Sequence, residues 1–255
     1  MHFNLRGMLV IYRFELSRTW RTPFESILAP VLTTSLYFVV FGSAIGGRID
    51  TAGGVPYAAF IVPGLLLLTI LSESTANASF GVFLPRFTGT IYEVLSAPVG
   101  VAEMLLGYVG AAATKSMMLA AIILATARIF VDYHIAHPVL AIGFILLIAL
   151  AFSLLGFILG CWATGFEKLS VVPMLVLTPL TFLGGTFYSI DMLAEPWRSV
   201  SLANPVVYLV NGLRWTFYGK ADVSFGTAAG LTFVFLGVCV AIIAWIFKTG
   251  WRLRT

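Results

Sequence analysis

Apolar residues run almost without charge through six stretches of the chain, about 25–46, 58–80, 102–127, 138–163, 170–187 and 227–247. A helix needs roughly 20 apolar residues to cross the hydrocarbon of a bilayer, and each stretch reaches or approaches that length. Inside a bilayer every backbone N–H and C=O must find a partner within the protein, so such runs fold as helices. The pattern predicts an all-α integral membrane fold with six transmembrane helices. The intervals between them are short. The longest, 188–226, is near the lower size limit of an independent domain, so residues 1–255 read as a single membrane domain.

The intervals carry patterns of their own. Before the first span, Leu5, Met8, Leu9, Tyr12, Leu16 and Trp20 share one face at helical spacing, with Arg6, Ser17, Arg18 and Arg21 largely elsewhere. This predicts an interfacial helix over 5–20, although Val10, Ile11 and Phe14 spoil its polar face and are expected to meet protein. The second span turns polar in its latter half, at Ser72, Glu73, Ser74, Thr75, Asn77 and Ser79, which a lipid-facing helix would not do. Pro63 should disturb its upper part. Residues 82–101 read as a loop holding a short helix. Thr90 and Glu93 have capping-box spacing, Pro98 stops the helix, and Ile91, Val94 and Leu95 form an apolar stripe. After the fifth span, Asn204-Pro205 divides 188–226 into two pieces too short to cross. Their Trp197, Tyr208, Trp215 and Tyr218 suit the outer interface.

Composition agrees: 60% hydrophobic, 10% charged, mean hydropathy +0.99, against about 25% charged in soluble domains. With six spans both termini share a side. That side would hold Arg6, Arg13, Arg18, Arg21, Arg86, Lys168, Lys248, Arg252 and Arg254; the other would hold Arg48, Arg128, Arg198, Arg214 and Lys220. The excess places both termini in the cytoplasm. The net charge of +4 is accounted for by lipid headgroups and calls for no nucleic acid. Cys161 and Cys239 lie in apolar spans and read as small buried hydrophobes, without disulfide or zinc. The N-terminus lacks the short apolar core and small-residue cleavage site of a signal peptide, so the first span is expected to be retained. Neither end carries a lipidation signal.

Chemistry-bearing motifs are sparse. The sequence has no G-x4-G-K-[ST] phosphate loop, no G-x-G-x-x-G and no G-x-S-x-G. His134-x2-His137 beside Asp132 reads as a solvated turn, because one short loop rarely completes a metal site. Lys115 sits near the middle of the third span, Glu73 in the second, and Glu25 opens the first. A charge at bilayer centre costs about 2.5–3.5 kcal/mol on insertion scales, so Lys115 must face a partner or water. Glu73, Asn77 and Lys115 therefore form either a polar translocation path or an intramembrane pair; on residues alone the plainer pair, or a snorkelling lysine, is favoured.

Two segments resemble a known family. Arg86-x2-Gly89-Thr90-x2-Glu93-x-Leu95-x2-Pro98-Val99 looks like the cytoplasmic coupling segment of ABC-2 type permeases, and Asn204-Pro205-x2-Tyr208-x5-Arg214 resembles a late signature of the same family. Phe60-Ile61-Val62-Pro63-Gly64 and the run from Leu177 to Ser189 are similar to its bacterial inner-membrane branch. The resemblance covers essentially the whole chain, in order.

It implies a membrane-spanning exporter subunit, not itself an enzyme. Two copies would form the pore and two copies of a separate ATP-binding cassette subunit would sit beneath it. ATP and Mg would bind that partner, and no cofactor this chain. The family's coupling helix would correspond to about 86–95, with Arg86 and Glu93 making polar contacts to the ATPase and Gly89, Thr90, Ile91 and Leu95 shaping and seating the helix. Its outer re-entrant helices would be about 190–202 and 205–218, where Tyr188, Trp197, Asn204, Pro205, Tyr208, Arg214 and Trp215 would shape the exit. The cargo would be amphipathic, drug-like or lipid- or glycan-linked, moved outward. The alternative, a proton- or sodium-coupled secondary transporter, has only Glu73 and Lys115 as a foothold and no inverted repeat.

Overall fold

The computed structural model describes residues 3–46 and 51–250; Arg48, Arg252 and Arg254 of the charge tally lie outside them. Helix α1 (Leu5–Arg21) precedes six apolar helices: α2 (Phe24–Gly42), α3 (Tyr57–Thr88), α5 (Val101–Phe130), α6 (Pro138–Trp162), α7 (Phe166–Leu183) and α10 (Phe225–Thr249). All six are long and apolar enough to span a membrane, as expected. Between them lie a hairpin of β1 (Thr51–Ala52) and β2 (Val55–Pro56), and the short helices α4 (Ile91–Ser96), α8 (Trp197–Leu202) and α9 (Pro205–Tyr218). The hairpin, invisible to apolar periodicity, turns on Gly53 and Gly54, both with positive φ as a two-residue turn requires.

Helices α3 and α6 form the centre. A Cβ on Gly156 would stand 2.3 Å from the Thr75 carbonyl oxygen, and one on Gly160 2.6 Å from that of Ser79. The small-x3-small pattern of α6 thus serves backbone contact within the chain. Around the pair are buried Leu66, Leu67, Ile70, Leu71, Ile148 and Phe217. Helices α2, α7 and α10 bury little, and their Leu32, Leu36, Met174, Leu175, Phe233 and Val234 face outward.

Proline accounts for the irregularities of α3 and α7. Pro63 has no N–H for the Ala59 carbonyl; α3 breaks at Ile61, and the Tyr218 hydroxyl donates to that carbonyl at 2.6 Å. In α7, Pro173 coincides with a π-wound turn, Val172–Leu177, in which the Thr178 hydroxyl donates to the Pro173 carbonyl. Helix α2 is π-wound over Phe24–Leu28, next to Pro23, and again over Phe38–Ile45, a stretch without proline that continues past Gly42.

Several expected boundaries are corrected. Residues 82–88 are not loop: α3 continues through Pro85 to Thr88 and stops at Gly89, whose φ of +81° is the left-handed cap that glycine adopts without strain. The short helix is 91–96, so Arg86 belongs to the end of α3. The Thr90–Glu93 capping box does not form. Thr90 has helical φ and ψ, and its hydroxyl meets Thr88 Oγ1 and the Pro85 carbonyl instead. Helix α7 begins at Phe166 and ends at Leu183, earlier at both ends than 170–187. The piece expected over 190–202 is a 3-10 turn, Ile190–Met192, followed by α8, whereas α9 matches 205–218.

Candidate functional site: a polar cavity in the apolar bundle

The polar half of α3 divides by helical phase. Ser74, Thr75 and Ser79 are buried, and their hydroxyls donate to the Ile70, Phe152 and Ala76 carbonyls, Ser79 also bordering the polar cavity. Ser72, Glu73 and Asn77 turn the other way. They line a cavity of about 690 Å³ together with Arg18 of α1, Glu25 of α2, Lys115 of α5, and Phe166 and Thr178 of α7. A second cavity of about 330 Å³ shares Glu25, Ser72, Glu73 and Thr178 and continues along α2 past Thr33, Thr34 and Tyr37. Volumes of this order are those of small-molecule sites.

Three of the four charges in this wall, all but Glu25, are tied by ion pairs. Lys115 Nζ lies 3.1 Å from Glu73 Oε2, with the lysine buried and the carboxylate partly exposed to the cavity. The sequence left path and pair open; the two residues pair, and the pair lines the cavity. Arg18 holds α1 against α3: its guanidinium donates to the Asn77 carbonyl (3.0 Å) and Oδ1 (2.6 Å), pairs with Glu15 Oε2 at 2.9 Å and lies over the Phe80 ring. Burial pushes the Glu15 carboxyl above its usual value, opposed by Arg18 and Arg21, and the same burial holds Arg18 below its own. The sequence sets Arg18 largely off the apolar face of α1, and that face gives no sign of this role. The signal was a second period in α1: Met8, Ile11, Tyr12, Glu15 and Thr19 form the face that meets protein. Gly107 admits Ile11, and Tyr12 donates to Thr114 Oγ1 at 3.0 Å. Leu5, Val10, Phe14 and Trp20 are exposed; of the three residues expected to meet protein, only Ile11 is packed against it.

At the end of the bundle carrying α4, the Arg86 guanidinium donates to the Gly160 and Cys161 carbonyls, both at 2.7 Å. It thereby satisfies the last turn of α6. In α4, Ile91 is buried, whereas Tyr92, Glu93 and Leu95 are exposed. Asn4 ties the start of α1 to the linker after α4, donating from Nδ2 to the Pro98 carbonyl and from its backbone to Glu103 Oε1.

At the opposite end, Asn204 caps α9: its Oδ1 accepts from the Val206 N–H and its Nδ2 donates to the Leu180 carbonyl at 2.6 Å. Pro205 takes the first helical position, where a missing N–H costs nothing. Arg214 is buried, donates to the Gly185 carbonyl at 2.8 Å and lies 3.7 Å from the Phe60 ring centroid. Burial lowers its pKa to about 10, with Asp222 opposing. Tyr208 and Tyr188 donate to the Leu202 and Leu183 carbonyls. Trp215 stacks between His137 and Phe225, and Trp197 is exposed. Asp132 pairs with Arg128, and His134 and His137 are exposed, as expected of a solvated turn. In the N-P-x2-Y-x5-R signature, Asn204 and Arg214 thus hold α9 to the end of α7, and Tyr208 ties it to the end of α8.

The sequence model of the ABC-2 type transporter family matches residues 6–218. Over 256 aligned residues, covering the full length of both chains, the protein is 36% identical to the inner membrane transport permease YadH of Escherichia coli K12. It is 24% identical to nodulation protein J of Rhizobium meliloti over 88% of this chain and 84% of that one. With nodulation protein J of Azorhizobium caulinodans the identity is 26%, over 89% and 90%. A six-span chain with this cavity and this end-to-end similarity belongs to the ABC-2 type transporter family.

Proposed function

We propose that the chain is the membrane-spanning subunit of an inner-membrane ABC exporter, working as a homodimer on two copies of a separate ATP-binding subunit. The carrying observation is the polar cavity walled by α2, α3, α5 and α7 and open on one side. Hydroxyls, carboxylates and a lysine would not be left facing hydrocarbon. A second copy laid across α2 and α7 would close the trough into a path for an amphipathic, drug-like or lipid- or glycan-linked cargo. The termini would be cytoplasmic, which puts α4 and the Arg18 end of the cavity on the ATPase side. Helix α4, seated by Ile91 and presenting Tyr92, Glu93 and Leu95, is the coupling element, and ATP and Mg bind the partner. Arg86 serves this element indirectly, by locking the end of α3 to α6. The α8–α9 segment with Trp197 and Tyr188 forms the outer exit.

Transport driven by ATP requires that the partner switch the dimer between two states of different cargo affinity. The test is reconstitution. The dimer with its ATP-binding subunit should hydrolyse ATP and move cargo in proteoliposomes, and the chain alone should do neither. Nucleotide turnover by the isolated chain, or cargo movement by it alone down a pH or sodium gradient, would overturn the reading. Ion-coupled transport has little to work with here, since Glu73 is already bound to Lys115.

A further inference from the structure

The charges that line the cavity balance in number, two cations against two carboxylates, but not in pairing. Its two cations, Arg18 and Lys115, each have an acid of their own, Glu15 at 2.9 Å and Glu73 at 3.1 Å. Glu25 lines both cavities and forms no ion pair among the described residues. The nearest basic residue along the chain, Arg21, does not line either cavity: it donates to Ser17 Oγ and lies over the Phe14 ring. Glu25 is thus a carboxylate at the mouth of a trough whose positive groups are already taken. The adjoining surface is aromatic and hydroxylic, with Phe80, Phe166 and Tyr37 beside Thr33 and Thr178. Ring faces attract cations, and apolar walls with a few fixed polar groups hold amphipathic organic molecules.

We propose that the trough selects amphipathic organic cations, with Glu25 as the residue that sets the charge preference; this rests on the cavity being the cargo path. An anionic cargo, such as a lipid-linked phosphate, would meet a wall with no free positive group and one free negative one. The homodimer would bring two Glu25 carboxylates to the closed path, one from each copy, which strengthens the preference.

The experiment uses the assembled transporter in nanodiscs of neutral phosphatidylcholine, which removes lipid charge as a source of bias. The probes are rhodamine 6G, an amphipathic xanthene cation, and fluorescein, a xanthene anion of similar size. Binding is read by fluorescence anisotropy, and ATP turnover is recorded on the same samples. The expectation is saturable rhodamine 6G binding that weakens about tenfold in Glu25→Gln and stays within about twofold in Glu25→Asp, with no competition by fluorescein. The aspartate variant separates lost charge from damaged folding. Fluorescein binding as tightly as rhodamine 6G, rhodamine affinity unmoved by Glu25→Gln, or saturable binding of neither dye would each overturn the charge selection. If ATP turnover by the assembly persists in those cases, the transporter reading stands and only the cargo class falls.

Discussion

Lys115 Nζ and Glu73 Oε2 stand 3.1 Å apart, on two different spanning helices, inside the apolar length of the bundle. Each charge is tolerated there because the other is present. Losing one partner should cost about 3 kcal/mol, since it strands a buried charge. Lys115→Met and Glu73→Gln should each lower the thermal midpoint in detergent, and the double variant should recover most of the loss. A double variant as unstable as the sum of the singles would mean that the two charges are not coupled.

Arg86 and Glu93 are separated by the turn at Gly89, and the separation predicts different phenotypes. Arg86→Ala removes charge-assisted donors from the Gly160 and Cys161 carbonyls, a loss of about 2 kcal/mol in stability. Glu93→Ala touches an exposed carboxylate and should leave the midpoint unchanged, while lowering ATP turnover in the assembled transporter. Thermal melts and ATPase assays on the same preparations separate the two. Wild-type turnover in Glu93→Ala would remove this side chain from coupling.

The seam between α3 and α6 allows no side chain at two glycines. Gly160→Val or Gly156→Val should reduce folded yield sharply, with a cost of about 3 kcal/mol or more from displaced backbone. Gly143, on the same helix, has nothing within 4 Å of a built Cβ. Gly143→Ala should therefore stay within about 0.5 kcal/mol of wild type. Equal tolerance at all three positions, read by size-exclusion recovery and melting, would contradict the packing.

The six spans were legible because hydropathy over some 20 residues records the solvent directly. Helix ends were less so. Apolar Val82, Phe83 and Leu84 continue α3 past the expected boundary, and Pro85 falls too near the helix end to stop it. In the site, Glu73 and Lys115 stood out as charges in apolar runs, but their pairing depends on the rotation of two helices, which sequence does not report. Arg18 and Glu25, from the first two helices, meet Glu73, Lys115 and Thr178, all far along the chain from them, only in the folded bundle. Arg214 was picked out by its motif, yet the buried carbonyl and ring it occupies are tertiary facts.

The pair at the foot of the cavity gives a pH dependence. Burial raises the pKa of Glu15 above the usual carboxylate value despite the neighbouring Arg18. A carboxyl raised in the folded state favours folding in its protonated form. Its contribution is complete below the ordinary value and is lost as pH climbs through the raised one. Glu15→Gln keeps the shape and cannot titrate. The stability of wild type relative to Glu15→Gln should therefore fall as pH rises from about 4 toward neutrality, then level off once Glu15 is ionised. Arg18 stays charged throughout and supplies no step of its own in that range. Melting curves of both proteins across this interval give the difference directly. A difference that grows with pH would mean that the Arg18 charge, rather than burial, governs Glu15.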